Sequence, residues 1–300
     1  MATAAEGSPG ARLRAALDAR TVAGPGVYDA ISARLVEQAG FSCAYVTGIS
    51  LAASYGLPDI GLLTQTELVE ACRRIAGAVD IPVIADADIG FGPPVNVART
   101  IGLLEMVGVA AAQIEDQSLP KKPGILSGKN VITAEEMQEK IVAAVEARSD
   151  PNFVIIARTD ALDGNGLEDA LDRMQKYEQA GADVLYCPGV RTHSEIESCV
   201  AATSRPVMIS SSESRATSIP LLTLDQYEKM GVSLVIYPKA TVLAAGKAME
   251  NLLRDVREAR TNAHVLDGIW TFQELDQNAA YDHWEAISDR ARESVRQLTS

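Results

Sequence analysis

Val83–Gly92 reads VIADADIGFG. The run begins apolar, passes through two aspartates one residue apart and ends in glycines. A strand buried on both faces is apolar along its length, so carboxylates at its last positions belong to whatever lies beyond its end. Seven other runs of strand length share the composition: TVAGPGVYD (21–29), CAYVTG (43–48), AAAQIED (110–116), FVIIARTD (153–160), DVLYCP (183–188), RPVMISS (205–211) and VSLVIYP (232–238). Amphipathic stretches such as DAISARLVEQAG and GLEDALDRMQKYEQAG separate them. Several end in a glycine just before the next strand, at Gly40, Gly108, Gly181 and Gly231, where a left-handed residue stops a helix. Eight alternating units with near-continuously apolar strands predict an α/β fold, a (β/α)8 TIM barrel with helices outside. The open doubly wound sheet is the competitor, but no GxGxxG follows the first strand. The barrel domain is expected over 1–259. A helical extension is expected over 260–300, where Trp270, Phe272, Tyr281 and Trp284 are too many aromatics for a solvated tail. They should pack on the barrel or on a neighbouring subunit.

The 300 residues carry 27 basic against 40 acidic side chains, a net charge of −13. Such a field repels polyanions, so neither nucleic acid nor an anionic membrane surface is an expected partner. No stretch reaches the roughly 18 apolar residues of a membrane span. The four cysteines stand singly, without a CxxC pair, which fits reduced thiols in a cytoplasmic compartment. The start of the chain has no apolar core for a signal peptide. Its Arg12, Arg14 and Arg20 are mixed with Glu6 and Asp18, which leaves organelle targeting the lesser alternative. The three histidines are scattered without zinc-ligand spacing.

In such a barrel the chemistry gathers where the strands end. Those ends hold Thr47 and Gly48, Asp86 and Asp88, Glu115 and Asp116, and Arg158 and Asp160, with Asp59 on the loop after the second strand. Carboxylates crowded into a half-dehydrated mouth repel one another unless a cation holds them. Oxygen donors without His or Cys suit a hard ion, Mg2+ or Mn2+. Strand alternation would place Asp86 and Asp88 on one side of the wall, sharing that ion. Asp116 and Asp160 could equally cap the helices that follow. Arg158 suits a substrate carboxylate, with a structural salt bridge as the other reading. The Thr47–Gly48–Ile49 turn could bring backbone N–H groups to a substrate oxygen.

Taken together, GLPDIGLLT, VDIPVIADADIGFG, NVART, IEDQ, FVIIARTDA and AGAD resemble the phosphoenolpyruvate mutase/isocitrate lyase superfamily. The resemblance spans about 24–249 and leans towards its methylisocitrate lyase, carboxyphosphonoenolpyruvate mutase and oxaloacetate decarboxylase branches. It implies a TIM barrel assembled as a homotetramer with the eighth helix exchanged, and Mg2+-dependent chemistry through a pyruvate-like enolate. It also implies that Asp86 ligates the metal directly while Asp59, Asp88 and Glu115 hold metal-bound waters. Tyr45, Thr47, Gly48, Ile49 and Arg158 would bind the 2-oxo-carboxylate end, with Arg191 and Ser210 further out, and the loop of Lys121 would close over the site.

The departures narrow the substrate. Where the family's carbon–carbon lyases carry Lys-Arg-Cys-Gly-His, this chain reads KKPGI, with Pro123 for the Cys and Ile125 for the His, Lys121 and Gly124 being kept. Pro188 stands for a Glu, Ser210 for an Asn and Leu243 for an Arg. The half that handles metal and 2-oxo acid is retained, and the half that grips a large polycarboxylate is gone. The expectation is therefore a Mg2+-dependent carbon–carbon lyase for a small anionic 2-oxo or 2-hydroxy dicarboxylate, with oxaloacetate-type decarboxylation leading. Asp59, Lys121 and Arg158 are its expected catalytic groups. Phosphorus–carbon chemistry and a metal-binding protein without turnover are the alternatives.

Overall fold

The structure, a computed structural model, describes residues 7–122, 128–211, 213 and 221–299. Eight strands form, β1 (Val22–Val27), β2 (Ala44–Val46), β3 (Val83–Asp86), β4 (Ala111–Glu115), β5 (Val154–Arg158), β6 (Val184–Tyr186), β7 (Val207–Ser210) and β8 (Leu234–Tyr237). All pair in parallel in sequence order, and β8 closes on β1 with Val22 opposite Leu234 and Pro25 opposite Tyr237. Every expected strand is present. The four glycine stops have φ between 82° and 102°. The helices between strands start on their own sequence signals, with reciprocal capping boxes at Thr64/Glu67, Thr133/Glu136 and Thr192/Glu195.

The apolar side chains separate into two clusters because strand residues alternate between the two faces of the wall. One lies between strands and outer helices and includes Val46, Ala85, Ile114 and Leu185. The other fills the barrel with Tyr45, Ile84, Ile156, Met208 and Ile236. Leu13 and Leu17 of the helix Pro9–Ala19 join this inner cluster beside Val22, Val154, Val184 and Leu234, the first residues of their strands. Arg14 fixes that helix through Asn152 O at 2.9 Å and Asp183 at 2.8 Å. The N-terminal end of the barrel is thereby stoppered, which leaves the C-terminal end as the mouth.

The β1–β8 seam tolerates no side chain at Gly26, where a Cβ would stand 2.3 Å from Pro238 O and 2.6 Å from its carbonyl carbon. Both atoms are backbone, so relief requires the strands to part. Gly26→Ala should therefore cost about 1–3 kcal/mol, measured as a lower urea midpoint. Unchanged stability would mean that the seam yields freely.

The chain divides into two compact units, Met1–Val242 and Leu243–Ser300. The division thus falls before the expected 259/260 boundary, within the helix Ala240–Ala259, which buries none of its residues. Helices Phe272–Asn278 and Tyr281–Thr299 complete the second unit. Its aromatics Trp270, Phe272, Tyr281 and Trp284 are 42–78% exposed within the single chain. No helix among the described residues is long and apolar enough to cross a membrane.

Candidate active site

The strand ends and the loops beyond them meet at the mouth. β3 stops at Asp86, and the chain turns through Asp88, Gly90, Phe91 and Gly92, all at positive φ. Strand alternation is therefore not what pairs Asp86 with Asp88. A left-handed turn at Asp88, φ 50°, folds its carboxylate back toward Asp86, whose Oδ1 accepts the Asp88 N–H at 3.2 Å. Asp and Asn tolerate this conformation better than other side chains do; for Phe91 it is costly, and the turn is held by its surroundings.

Gly48 lies against this turn. A Cβ there would be 3.4 Å from Asp88 Oδ1, 3.5 Å from Asp86 Oδ2 and 3.6 Å from Asp59 Oδ1. Three carboxylates from two segments, the end of β3 with its turn and the loop after β2, thus surround one point that glycine leaves open. Lys121 is 5% exposed and bridges two of them, 2.6 Å from Asp59 Oδ1 and in contact with Asp88 Oδ1. Burial opposes the Lys121 charge, yet Asp88, Glu115, Asp86 and Asp59 outweigh it and raise its pKa above the ordinary lysine value. Burial pushes the Asp88 carboxyl up to about 6, Lys121 restraining the rise and Asp86 adding to it. Asp86 has no cation within ion-pair distance among the described residues. It accepts instead from Gly48 N at 3.4 Å and Gln113 Nε2 at 3.0 Å, and Gln113 in turn accepts from the Tyr45 hydroxyl at 2.6 Å.

Arg158 ends β5 and is drawn into the wall. Its NH1 lies 2.9 Å from Glu115 Oε2 and its NH2 donates to Asp160 Oδ1 at 3.0 Å. Nε approaches Asp160 Oδ2 at 2.8 Å but is misaligned for a hydrogen bond. In this state the guanidinium is committed to salt bridges, the reading the sequence ranked second, and it also lies over the Tyr186 ring at 5.6 Å. Burial drives the Glu115 carboxyl well above the carboxylate range despite Arg158. Asp160 is held below it by Arg158 and Lys129 although burial opposes them, with Lys129 Nζ at 2.8 Å. Neither Asp160 nor Asp116 caps a helix with its side chain. Asp116 instead accepts from Thr159 Oγ1, Tyr177 OH, Arg173 NH1 and Asp160 N at 2.7–3.1 Å.

The remaining expected positions spread outwards. Thr47 is buried and Ile49 half-buried at the start of the short helix after β2. Ser210 ends β7 and bonds to Tyr186. Arg191 stands apart from the acids, with a side chain 65% exposed and 3.8 Å from Asp163. Pro188 is buried and Leu243 is 51% exposed. Pro123, Gly124 and Ile125 lie outside the described residues. Gln113, Gln117 and Lys129 were not expected. The only sequence signal for the glutamines is an uncharged polar residue in and just past an otherwise apolar, buried β4.

Five carboxyl groups (Asp59, Asp86, Asp88, Glu115 and Asp160) thus face three cations (Lys121, Lys129 and Arg158), a formal excess of two acids that burial moderates by favouring protonated Glu115. Among the described residues no three acids stand as a ready-made ligand set, because Lys121 takes up two of them. The all-oxygen donors, the unpaired Asp86 and the formal acidic excess fit a hard divalent cation.

The family model described as phosphoenolpyruvate phosphomutase matches residues 13–257. A 2-methylisocitrate lyase of Aeropyrum pernix is 40% identical over 92% of this chain and 89% of its own. The chain belongs to the phosphoenolpyruvate mutase/isocitrate lyase superfamily. It is thus an enzyme, a carbon–carbon lyase by the relatives it keeps. Two solved structures share the superfamily fold over 95% of this chain. One is oxaloacetate acetylhydrolase in complex with the inhibitor 3,3-difluorooxalacetate, at TM-score 0.88, 33% identity and 97% of that chain. The other is phosphonopyruvate hydrolase in complex with oxalate and Mg2+, at TM-score 0.86, 33% identity and 99% of that chain.

Proposed function

We propose that this superfamily member is a Mg2+-dependent lyase (Mn2+ serving in its place) that cleaves a carbon–carbon bond of a small 2-oxo or 2-hydroxy dicarboxylate. Oxaloacetate-type decarboxylation is the leading version. The observation that carries the reading is the cluster of Asp59, Asp86 and Asp88 around Gly48, with Lys121 bridging two of them and, among the described residues, no cation within ion-pair distance of Asp86. The solved relatives complexed with 3,3-difluorooxalacetate, and with oxalate and Mg2+, support it. Buried Pro188 and exposed Leu243, where larger substrates would need a Glu and an Arg, argue for a small diacid.

In this proposal Asp86 would ligate the metal directly, and Asp59, Asp88 and Glu115 would accept hydrogen bonds from its waters. The bound ion supplies Lewis-acid stabilisation to charge developing on the substrate's 2-oxygen. The protein's own groups orient the molecule. Thr47, Gly48, Ile49 and Tyr45 border the 2-oxo-carboxylate, and Arg158 pairs with that carboxylate by sharing its guanidinium with Glu115. Lys121 holds Asp59 and Asp88 together beside the breaking bond. For the 2-oxo diacid the C3–C4 bond breaks, C4 leaves as carbon dioxide, the bonding electrons form the 2-enolate, and a proton taken from water adds to C3. Ser210 and Arg191 lie towards the outer end. Homotetramer formation belongs to the same proposal, since it would cover the exposed aromatics of the second unit, as does a cytoplasmic location.

A panel of 2-oxo and 2-hydroxy diacids, assayed for pyruvate and oxalate with Mg2+ and with EDTA, tests the reading. Release from an oxaloacetate-type diacid that EDTA abolishes is expected. Phosphonopyruvate belongs in the panel because a phosphonopyruvate hydrolase is among the structural relatives. Preferential phosphate release from it would transfer the assignment to phosphorus–carbon cleavage.

A further inference from the structure

The IEDQ segment contains a side chain with no place yet in the chemistry. Gln117 is 2% exposed and lies just beyond β4. Its Oε1 accepts from Lys122 N at 2.9 Å while its Nε2 donates to Lys122 O at 3.1 Å. The carboxamide thus pairs with both backbone groups of the residue after Lys121, as a neighbouring strand would. Nε2 also reaches Glu115 Oε1 at 2.9 Å and Asp160 Oδ2 at 3.2 Å. Its second hydrogen is shared between those carboxylates, since the first is used on the backbone. Only a carboxamide combines these bonds: a carboxylate lacks the donors and would repel Glu115 and Asp160, and an ammonium cannot accept from Lys122 N–H.

The returning limb of the loop is tied to the same anchor. Lys129 Nζ meets Asp160 Oδ1 at 2.8 Å, Gln117 bridges Val131, and Ser118 N donates to Asn130 O at 2.9 Å. Asp160 is itself fixed by its N–H to Asp116 at 2.9 Å. The ammonium of Lys121 then extends from this fixed backbone to Asp59 and Asp88, on two other loops.

We propose that Gln117 is the positioning residue that places Lys121 at the reacting centre, by clamping the backbone of residue 122 to the Glu115–Asp160 pair. The inference rests on the proposed role of Lys121 in the lyase reaction, but the clamp can be measured without turnover. Gln117→Met keeps the length and removes every hydrogen bond. In the intact native protein, tryptic cleavage between Lys121 and Lys122, followed by mass spectrometry, should accelerate at least tenfold, with no acceleration at barrel sites and little change in Tm. In a double-mutant cycle, Lys121→Met should lower kcat/KM much less in the Gln117→Met background than in the wild type, because the ammonium is already misplaced. Unchanged cleavage, acceleration spread over the whole chain, or additive losses of kcat/KM would each overturn the clamp. Gln117→Asn, which keeps the carboxamide one methylene short, serves the same measurements if the methionine variant does not fold. If the wild type turns over nothing in the panel, the lyase assignment fails, while the proteolysis still decides the clamp.

Discussion

Asp86→Ala is expected to abolish Mg2+-dependent turnover while leaving the barrel folded. A directly coordinated cation contributes several kcal/mol to stabilising charge in a transition state, and about 4 kcal/mol corresponds to roughly a thousandfold in rate. The metal-free fold should not suffer. Asp86 is the last residue of β3, half-buried, and holds only N–H donors from Gly48, Asp88 and Gln113 at 3.0–3.4 Å. Its removal reduces the local negative excess and, among the described residues, strips no cation of its partner; buried Gln113 loses the acceptor of its Nε2. Calorimetry should accordingly show Mg2+ raising the Tm of the wild type but not of the variant, with similar metal-free Tm values. A variant that keeps its activity and its Mg2+ dependence would remove Asp86 from the metal site.

The second large effect is on stability. Arg158→Met should destabilise the barrel by roughly 3–5 kcal/mol, because it leaves two buried carboxylates without their shared partner. At about 2–4 °C per kcal/mol for a chain of this size, that is a fall in Tm of roughly 6–20 °C. The pH dependence identifies the cause. Burial works against the Asp160 charge, but Arg158 and Lys129 hold its carboxyl low, so losing Arg158 raises its folded pKa. A carboxylate held low in the folded state contributes stability that is present at neutral pH and lost as pH falls through its folded pKa. The deficit relative to wild type should therefore shrink as pH is lowered from neutrality toward the carboxylate range. A deficit independent of pH would mean that lost packing, and not unpaired charge, is what Arg158 prevents.

How much of this was legible can be judged at particular residues. Each strand was readable because burial on both faces imposes a continuous apolar run, and each helix stop because glycine fits φ near 85° at little cost. Grouping Asp86, Asp88 and Glu115 at one mouth followed from strand ends, and Asp59 joined them from the loop after the second strand. The means by which Asp88 faces Asp86 did not, since it depends on a left-handed turn whose Phe91 no local preference favours. Gln117, Gln113 and Lys129 carried little signal, because what they do is defined by partners distant in sequence, such as Asp160 for Lys129 and Asp86 for Gln113.

The chain's own pattern therefore determined the (β/α)8 barrel and the gathering of all-oxygen acidic donors at one end of it. These follow from local propensity and periodicity, which act over a few residues. Tertiary structure alone decided the pairing: Lys121 across Asp59 and Asp88, Arg158 between Glu115 and Asp160, and Asp86 left to N–H donors. In a buried mouth, electrostatic energy depends on distances of a few ångströms between charges from different loops, and closure of the barrel is what sets those distances.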